Sequence, residues 1–291
     1  MSEPTGVIHD IGYRHYDGVR QGRGQATAAL AVHSLRGIFG IGRTARSKII
    51  PFTLVGVMLL PAVVAIAAMA LAKQHLMGYT GYAVIMQTVM AIFLASQSPY
   101  AVAPDLRFRV LPLYLSRPVT LGDYVGAKLA AMATAMFLLL AVPLTVLYIG
   151  EVIVDLPGGT RTGDYLTAMA GAVCYAVLLS CIGIAIASFT PRRGLGVAAI
   201  IAFYLLTTAV SAVLFAALEA MGNDETAAWA WLINPFLLVD AAVQVGLFGA
   251  ASMASTAYPS GGGPVAGVIM ILLIAGSVAA LIARYRRAAS R

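Results

Sequence analysis

The chain has 291 residues, 60% of them hydrophobic and only 11% charged, with a net charge of +7 and a mean hydropathy of +0.87. A soluble domain carries about a quarter charged residues, so this composition excludes an ordinary soluble enzyme or binding module. It points to an integral membrane protein. The long uncharged blocks lack the polar–apolar alternation of barrel strands, and the expected fold is therefore all-α.

The first 48 residues are polar, Gly-rich and basic, without the profile of a secretory signal peptide. The first span is expected to serve as the insertion signal. Ahead of it, ATAALAVHSLRGIFGIGRTARSK places Ala28, Ala31, Val32, Leu35, Ile38 and Phe39 at helical spacing. Arg36, Arg43 and Arg46 in the same stretch can snorkel toward lipid phosphates. This pattern predicts an interfacial "elbow" helix along the membrane surface.

Six apolar blocks follow at 49–72, 82–103, 129–150, 165–189, 195–218 and 265–283, each near the roughly 20 residues a spanning helix needs. They divide the chain into an arm and elbow (1–48), a six-span region (49–284) and a basic tail (285–291). A seventh apolar piece, 235–250, is shorter and lies in the range of re-entrant or interfacial segments. Six spans put every Lys and Arg except Lys73 and Arg161 on the cytoplasmic side, whereas a seventh would move Arg284, Arg286, Arg287 and Arg291 outside. The positive-inside rule favours six. Both termini are then cytoplasmic, and 235–250 enters and returns on the outer side. Trp229 and Trp231 before it suit an aromatic belt, and Glu151, Asp155, Asp164, Glu219, Asp224 and Glu225 are expected outside.

Several local patterns carry no chemistry. GGTRTGD has the four-residue gap of a phosphate loop, but Asp164 stands where the phosphate-neutralising lysine belongs; it reads as a turn. SGGGP resembles an ATPase signature only superficially and reads as a flexible loop. His9, Asp10, His15 and Asp17 match no strong metal spacing, and His33 and His75 form no pair with each other. Cys174 and Cys181 are separated by about 10 Å of helical rise, too far for a disulfide. No charged residue lies inside the six blocks, which disfavours intramembrane catalysis. The chain is thus expected to be no enzyme and to bind no cofactor, metal, nucleotide or nucleic acid. Gln87, Ser96, Gln97 and Ser98 give the second span a polar face, explained equally by interhelical hydrogen bonds and by a substrate path through Gln87, Ser96 and Gln97. Asn234, Pro235 and Asp240 in the short piece are the candidate outer gate, with Asp240 expected to face outer water.

The hinge PDLRFRVLPLYLSRPVTLGDYVGAK, between the second and third spans, clusters charge and proline on the cytoplasmic side. Pro104 is expected to end the second span. A short helix is expected over LRFRVLPLYL, broken at Arg117-Pro118. Thr120 or Asp123 then caps the next helix. Here the chain resembles the permease subunits of type-2 ABC exporters. Asp105, a short helix with Leu111 and Leu115, then Ser116-Arg117-Pro118, Tyr124, Gly126 and Lys128 carry the resemblance. The elbow, six spans and outer hairpin extend it over nearly the whole chain, and GYRHYDGVRQGR is similar to the opening of actinobacterial members. Relatives often carry Gly-Thr where this chain has Phe108-Arg109.

The resemblance implies a permease of the cytoplasmic membrane, paired with a second permease, same or homologous, and with separately encoded ATPase subunits. Residues 105–116 would form the coupling helix, with Asp105, Leu106, Arg107, Arg109, Leu111, Leu115 and Arg117 docking the ATPase. An amphipathic or lipid-like substrate would leave between the second and fifth spans. Membrane lipids are the remaining partner. The competing functions are a scaffold or sensor subunit that moves no substrate, and a membrane-embedded lipid enzyme.

Overall fold

The computed structural model describes residues 22–75, 77–108, 110–116, 119–154, 159–190, 192–250 and 258–289, together with 12 and 18. The arm with His9, Asp10, His15 and Asp17, the hinge residues Arg109, Arg117 and Pro118, Asp155, and most of the loop before the last helix lie outside the described residues. So does the side chain of Leu115.

The described residues are almost entirely helical, without a strand among them. Five helices are long and apolar enough to cross a membrane: α2 (Ala45–Ala72), α6 (Leu121–Val154), α7 (Thr162–Phe189), α8 (Arg193–Ala220) and α11 (Gly262–Ala289). The chain is membrane-embedded. Helix α7 is the buried centre, in contact with α4 (Gln87–Arg107), α6, α8 and α11. Helices α2, α8 and α11 expose apolar faces, including Phe52 and Leu60, Leu205 and Leu206, and Ile271 and Leu272.

Where an elbow is expected the chain forms α1 (Arg23–Ile38), lying against α6 and α4. Its C-terminus closes with a Schellman turn: Ile41 N–H donates to Arg36 C=O at 2.8 Å and Gly40 N–H to Gly37 C=O at 3.1 Å. Gly40 has a φ of 68°, and a Cβ there would stand 2.7 Å from the Ser47 carbonyl oxygen. Only glycine fits this corner between elbow and first span. At the elbow's other end, Arg23 grips the start of α6 with a forked contact, Nε to Asp123 Oδ2 at 2.6 Å and a terminal nitrogen to Oδ1 at 3.0 Å.

The block at 82–103 is two helices, α3 (Tyr82–Ile85) and α4, joined at Met86. Pro104 does not end α4, which continues through Asp105 and Leu106 to Arg107. Proline forfeits its own N–H bond, but its carbonyl still accepts, and Phe108 N–H donates to it at 2.9 Å. The turn is held from outside by bonds to Asp105. The short helix is correspondingly smaller than expected: α5 is Leu111–Leu115, with Pro112 in its first turn. Helix α6 extends beyond 129–150 at both ends, and its 34 residues make it about 51 Å long. Thr120 and Asp123 both act at its start, since Thr120 N–H donates to Asp123 Oδ2 at 2.8 Å and Asp123 N–H to Thr120 Oγ1 at 3.3 Å. This is a capping box with aspartate in the glutamate role.

Before α11 a bent pair of helical limbs, a broken span or a re-entrant loop by its length and composition, uses more chain than 235–250. One limb is α9 (Asp224–Trp229) with a 3-10 turn (Ala230–Ile233); the other is α10 (Pro235–Val239) with a π-helical segment (Asp240–Val245). The limbs meet at 104° across Asn234. Trp229 is exposed as a belt residue would be, but Trp231 packs on Phe215 with ring centroids 4.7 Å apart.

Candidate functional site

The hinge folds back on the bundle. Asp105 Oδ2 lies 2.9 Å from Lys128 Nζ and also accepts a hydrogen bond from the Tyr124 hydroxyl. Lys128 donates a second bond to Ala101 C=O at 2.9 Å. Tyr124 is fully buried, with Tyr114 of α5 on one side (centroids 5.5 Å) and Tyr285 of α11 on the other (5.3 Å). Three residues of the hinge pattern, Asp105, Tyr124 and Lys128, therefore form one cluster that ties the end of α4, the short α5, the start of α6 and the end of α11 together. The chemistry is mechanical: a largely buried ion pair with satisfied neighbours fixes the angle at which α5 leaves the bundle.

This geometry changes which hinge residues face outward. Asp105 is committed inside the chain and is not available for docking. Leu111 is buried, 2% exposed, so it packs into the bundle; Leu106 is half-buried. The large side chains that do project, among the described hinge residues, are Arg107, Phe108 at 68% exposure and Leu113 at 69%, with Pro104, Pro112 and Ser116 also exposed. A helix of only five residues presents few outward positions, and Leu113 takes one because Leu111 faces in. Arg107 Cζ sits 5.6 Å from the Phe108 ring centroid, so the two project together. No spacing rule in the sequence separates Leu111 from Leu113; an exposed Phe beside Arg was the available signal.

At the opposite end, Asn234 is buried and N-caps α10, its Oδ1 accepting from Phe236 N–H at 2.9 Å. Its Nδ2 donates to Gln87 Oε1 at 3.2 Å and Thr208 Oγ1 at 3.4 Å. The hairpin tip is thereby pinned across α4 and α8. Directly beside it lies a cleft of about 120 Å³ lined by Gln87, Thr88, Ile201, Tyr204, Thr208 and Phe236, among others. Gate candidate and path candidate thus meet at Asn234 and Gln87. Ser96 and Gln97 do not join them: Gln97 donates to Ser96 Oγ at 3.1 Å and lines a different pocket nearer the hinge. Thr88 and Thr208, polar positions within apolar runs, complete the cleft without having stood out in the sequence.

Asp240 does not face water. It is 1% exposed, at the start of the π-helical segment, and accepts from the Tyr258 hydroxyl at 2.8 Å. The segment buries both its faces, because Gly246 and Gly263 let it approach α11: a Cβ on either would lie within 2.8 Å of backbone atoms across the contact. π-segments inside helices often mark functional positions.

A second polar cluster joins α6 to the loops on the hairpin side. Glu151 accepts from the Tyr79 hydroxyl and from Arg161 N–H at 2.9 Å, and His75 Nδ1 lies 3.5 Å away. Burial, with the bond to Glu151, pushes the Tyr79 phenol well above its ordinary range, so it remains a donor. Among the described residues no group of three or more His, Cys, Asp or Glu is arranged to hold a metal ion, and Cys174 and Cys181 are free.

No known family model matches this chain, and no curated sequence is significantly similar to it.

Proposed function

We propose that this chain is the membrane permease subunit of an ATP-driven exporter of the type-2 ABC class. In this reading α2, α3–α4, α6, α7, α8 and α11 are six spans, the two termini are cytoplasmic, and the bent pair around Asn234 is re-entrant from outside. Two such permeases pair in the cytoplasmic membrane. Separate ATPase subunits dock on Arg107, Phe108 and Leu113, with Arg109 and Arg117 of the same hinge sequence, and an amphipathic or lipid-like substrate passes outward along the cleft between α4 and α8.

The observation that carries this reading is the hinge cluster. An exposed short helix is joined through Asp105, Tyr124 and Lys128 to α4 and α6 at once, and α4 is also the helix that lines the cleft with α8. A push on α5 therefore has a stiff route to the cleft. The basic residues support the orientation. Arg46, Lys48, Lys128 and Arg193 lie toward the starts of α2, α6 and α8, and Arg36, Arg107 and Arg284 toward the ends of α1, α4 and α11, whereas Glu151 and Glu219 lie at the opposite ends of α6 and α8, and Asp224 and Glu225 in α9. The mixed lining of the cleft, apolar with Gln87, Thr88 and Thr208, fits a substrate with both characters. Copurification of ATP hydrolysis with the tagged chain tests the assignment; absence of any copurifying ATPase activity removes it.

A further inference from the structure

Near the hinge, the corner between α1 and α2 faces the start of α8 across Tyr100 of α4. The pocket there, about 390 Å³, is lined by Gly37, Thr44, Arg46, Ser47, Gln97, Tyr100 and Arg193 with Ile50 at one wall. Among the described residues no acidic one lines it. Arg43 and Arg193 both lie over the Tyr100 ring, their Cζ atoms 4.5 and 5.5 Å from its centroid. Among the described residues none of Arg43, Arg46 and Arg193 has a carboxylate partner, while Arg23, Lys128 and Arg161 each have one. The buried Tyr100 hydroxyl likewise lacks a partner. Two long helices begin at this point, α2 after Thr44 and α8 after Arg192, and neither has a side-chain cap.

We propose that this pocket binds a phosphate group, as the headgroup of an anionic membrane lipid. The Arg46 and Arg193 guanidiniums in the lining, with Arg43 over Tyr100 beside them, supply forked donors matched to phosphate oxygens. Two uncapped helix N-termini add free N–H groups and the positive ends of their dipoles. Thr44 and Tyr100 add hydroxyl donors, while the Ser47 hydroxyl donates to Thr44 C=O at 2.7 Å. The wall at Ile50 continues onto the exposed apolar residues Ile49 and Phe52 of α2, which gives an acyl chain a surface to follow while its phosphate stays in the pocket. Phosphate so placed bridges the elbow, α4 and α8. The site stands independently of the exporter reading, which bears only on the leaflet it samples.

Native mass spectrometry of the detergent-purified full chain tests this with phosphatidylglycerol, phosphatidylcholine and inorganic phosphate as probes. Arg46→Gln with Arg193→Gln is compared with wild type and with Arg286→Gln/Arg287→Gln, which removes the same charge elsewhere. The expected result is a phosphatidylglycerol adduct that is weakened at least about tenfold in the pocket variant and retained in the tail variant. Phosphatidylcholine should bind more weakly. An adduct that persists in excess inorganic phosphate assigns the site to lipid; displacement by inorganic phosphate, with phosphate retained by the protein alone, assigns the same site to a soluble phosphate. Tyr100→Phe, a milder change, should reduce binding without affecting elution and covers the case in which the double variant does not fold. Equal adducts in wild type, both arginine variants and Tyr100→Phe would overturn the proposal.

Discussion

The Asp105 carboxylate in the last turn of α4 sits 2.9 Å from the Lys128 ammonium in α6, with both side chains largely sequestered. Asp105→Asn leaves Lys128 with neutral acceptors only, the Ala101 carbonyl among them. Removing one member of such a pair costs about 3 kcal/mol when it is well buried, so the melting temperature in detergent should fall. Lys128→Met added to Asp105→Asn should recover much of the loss, since the uncompensated charge is gone. If the double variant is less stable than either single one, the two residues do not act as a pair.

The close approach of the π-helical segment to α11 rests on Gly246 and Gly263. Gly263→Ala should displace the segment and lower thermal stability, because the obstructing atoms are backbone. Gly267→Ala, one turn along the same helix and with open space around it, should be neutral or stabilising by about 0.5–1 kcal/mol. Equal melting temperatures for the two variants would show that the approach is not tight.

Asp240→Asn keeps an oxygen that can accept from Tyr258 while removing the buried charge. Transport should change, with hairpin and ATPase recovery intact. Unaltered efflux would confine Asp240 to holding Tyr258. Gln87→Leu should also alter efflux, since it severs the tie to Asn234 but leaves the α10 cap in place.

Orientation is checked by single cysteines at Ser116 and Thr160 in a Cys174→Ala/Cys181→Ala background. An impermeant thiol reagent applied to intact cells should label the cysteine at 160 and not the one at 116; the reverse pattern inverts the protein.

Much of this architecture is legible in the sequence because lipid imposes a coarse rule. Apolar length marks the long helices, and amphipathic spacing marks the elbow. Charge distribution gives the expected sidedness. The end of α4 was not legible, because Pro104 is tolerated when outside contacts, here Lys128 and Tyr124 on Asp105, hold the following turn. The inward facing of Leu111 and the burial of Asp240 depend on tertiary partners far along the chain, Tyr258 among them. The hairpin tip shows both sides of this: Asn234-Pro235 announces a helix start, but nothing local announces that Asn234 meets Gln87. The phosphate pocket is assembled from residues 37 to 193 and has no local pattern at all.

In the proposed function the exposed edge of the hinge, rather than its buried residues, receives the ATPase. This docking is tested by affinity-purifying the tagged chain from its own cells in mild detergent and measuring ATP hydrolysis in the eluate. Wild type is compared with Phe108→Ala/Leu113→Ala and with Leu111→Ala. Each exposed anchor is worth about 2 kcal/mol at a well-packed interface, roughly thirtyfold in affinity. The edge variant should therefore lose the copurifying hydrolysis while eluting and melting as wild type. Leu111→Ala should instead destabilise the chain by about 2–5 kcal/mol, with hydrolysis following only the folded fraction. Undiminished hydrolysis with the edge variant, or none with wild type, would contradict the account.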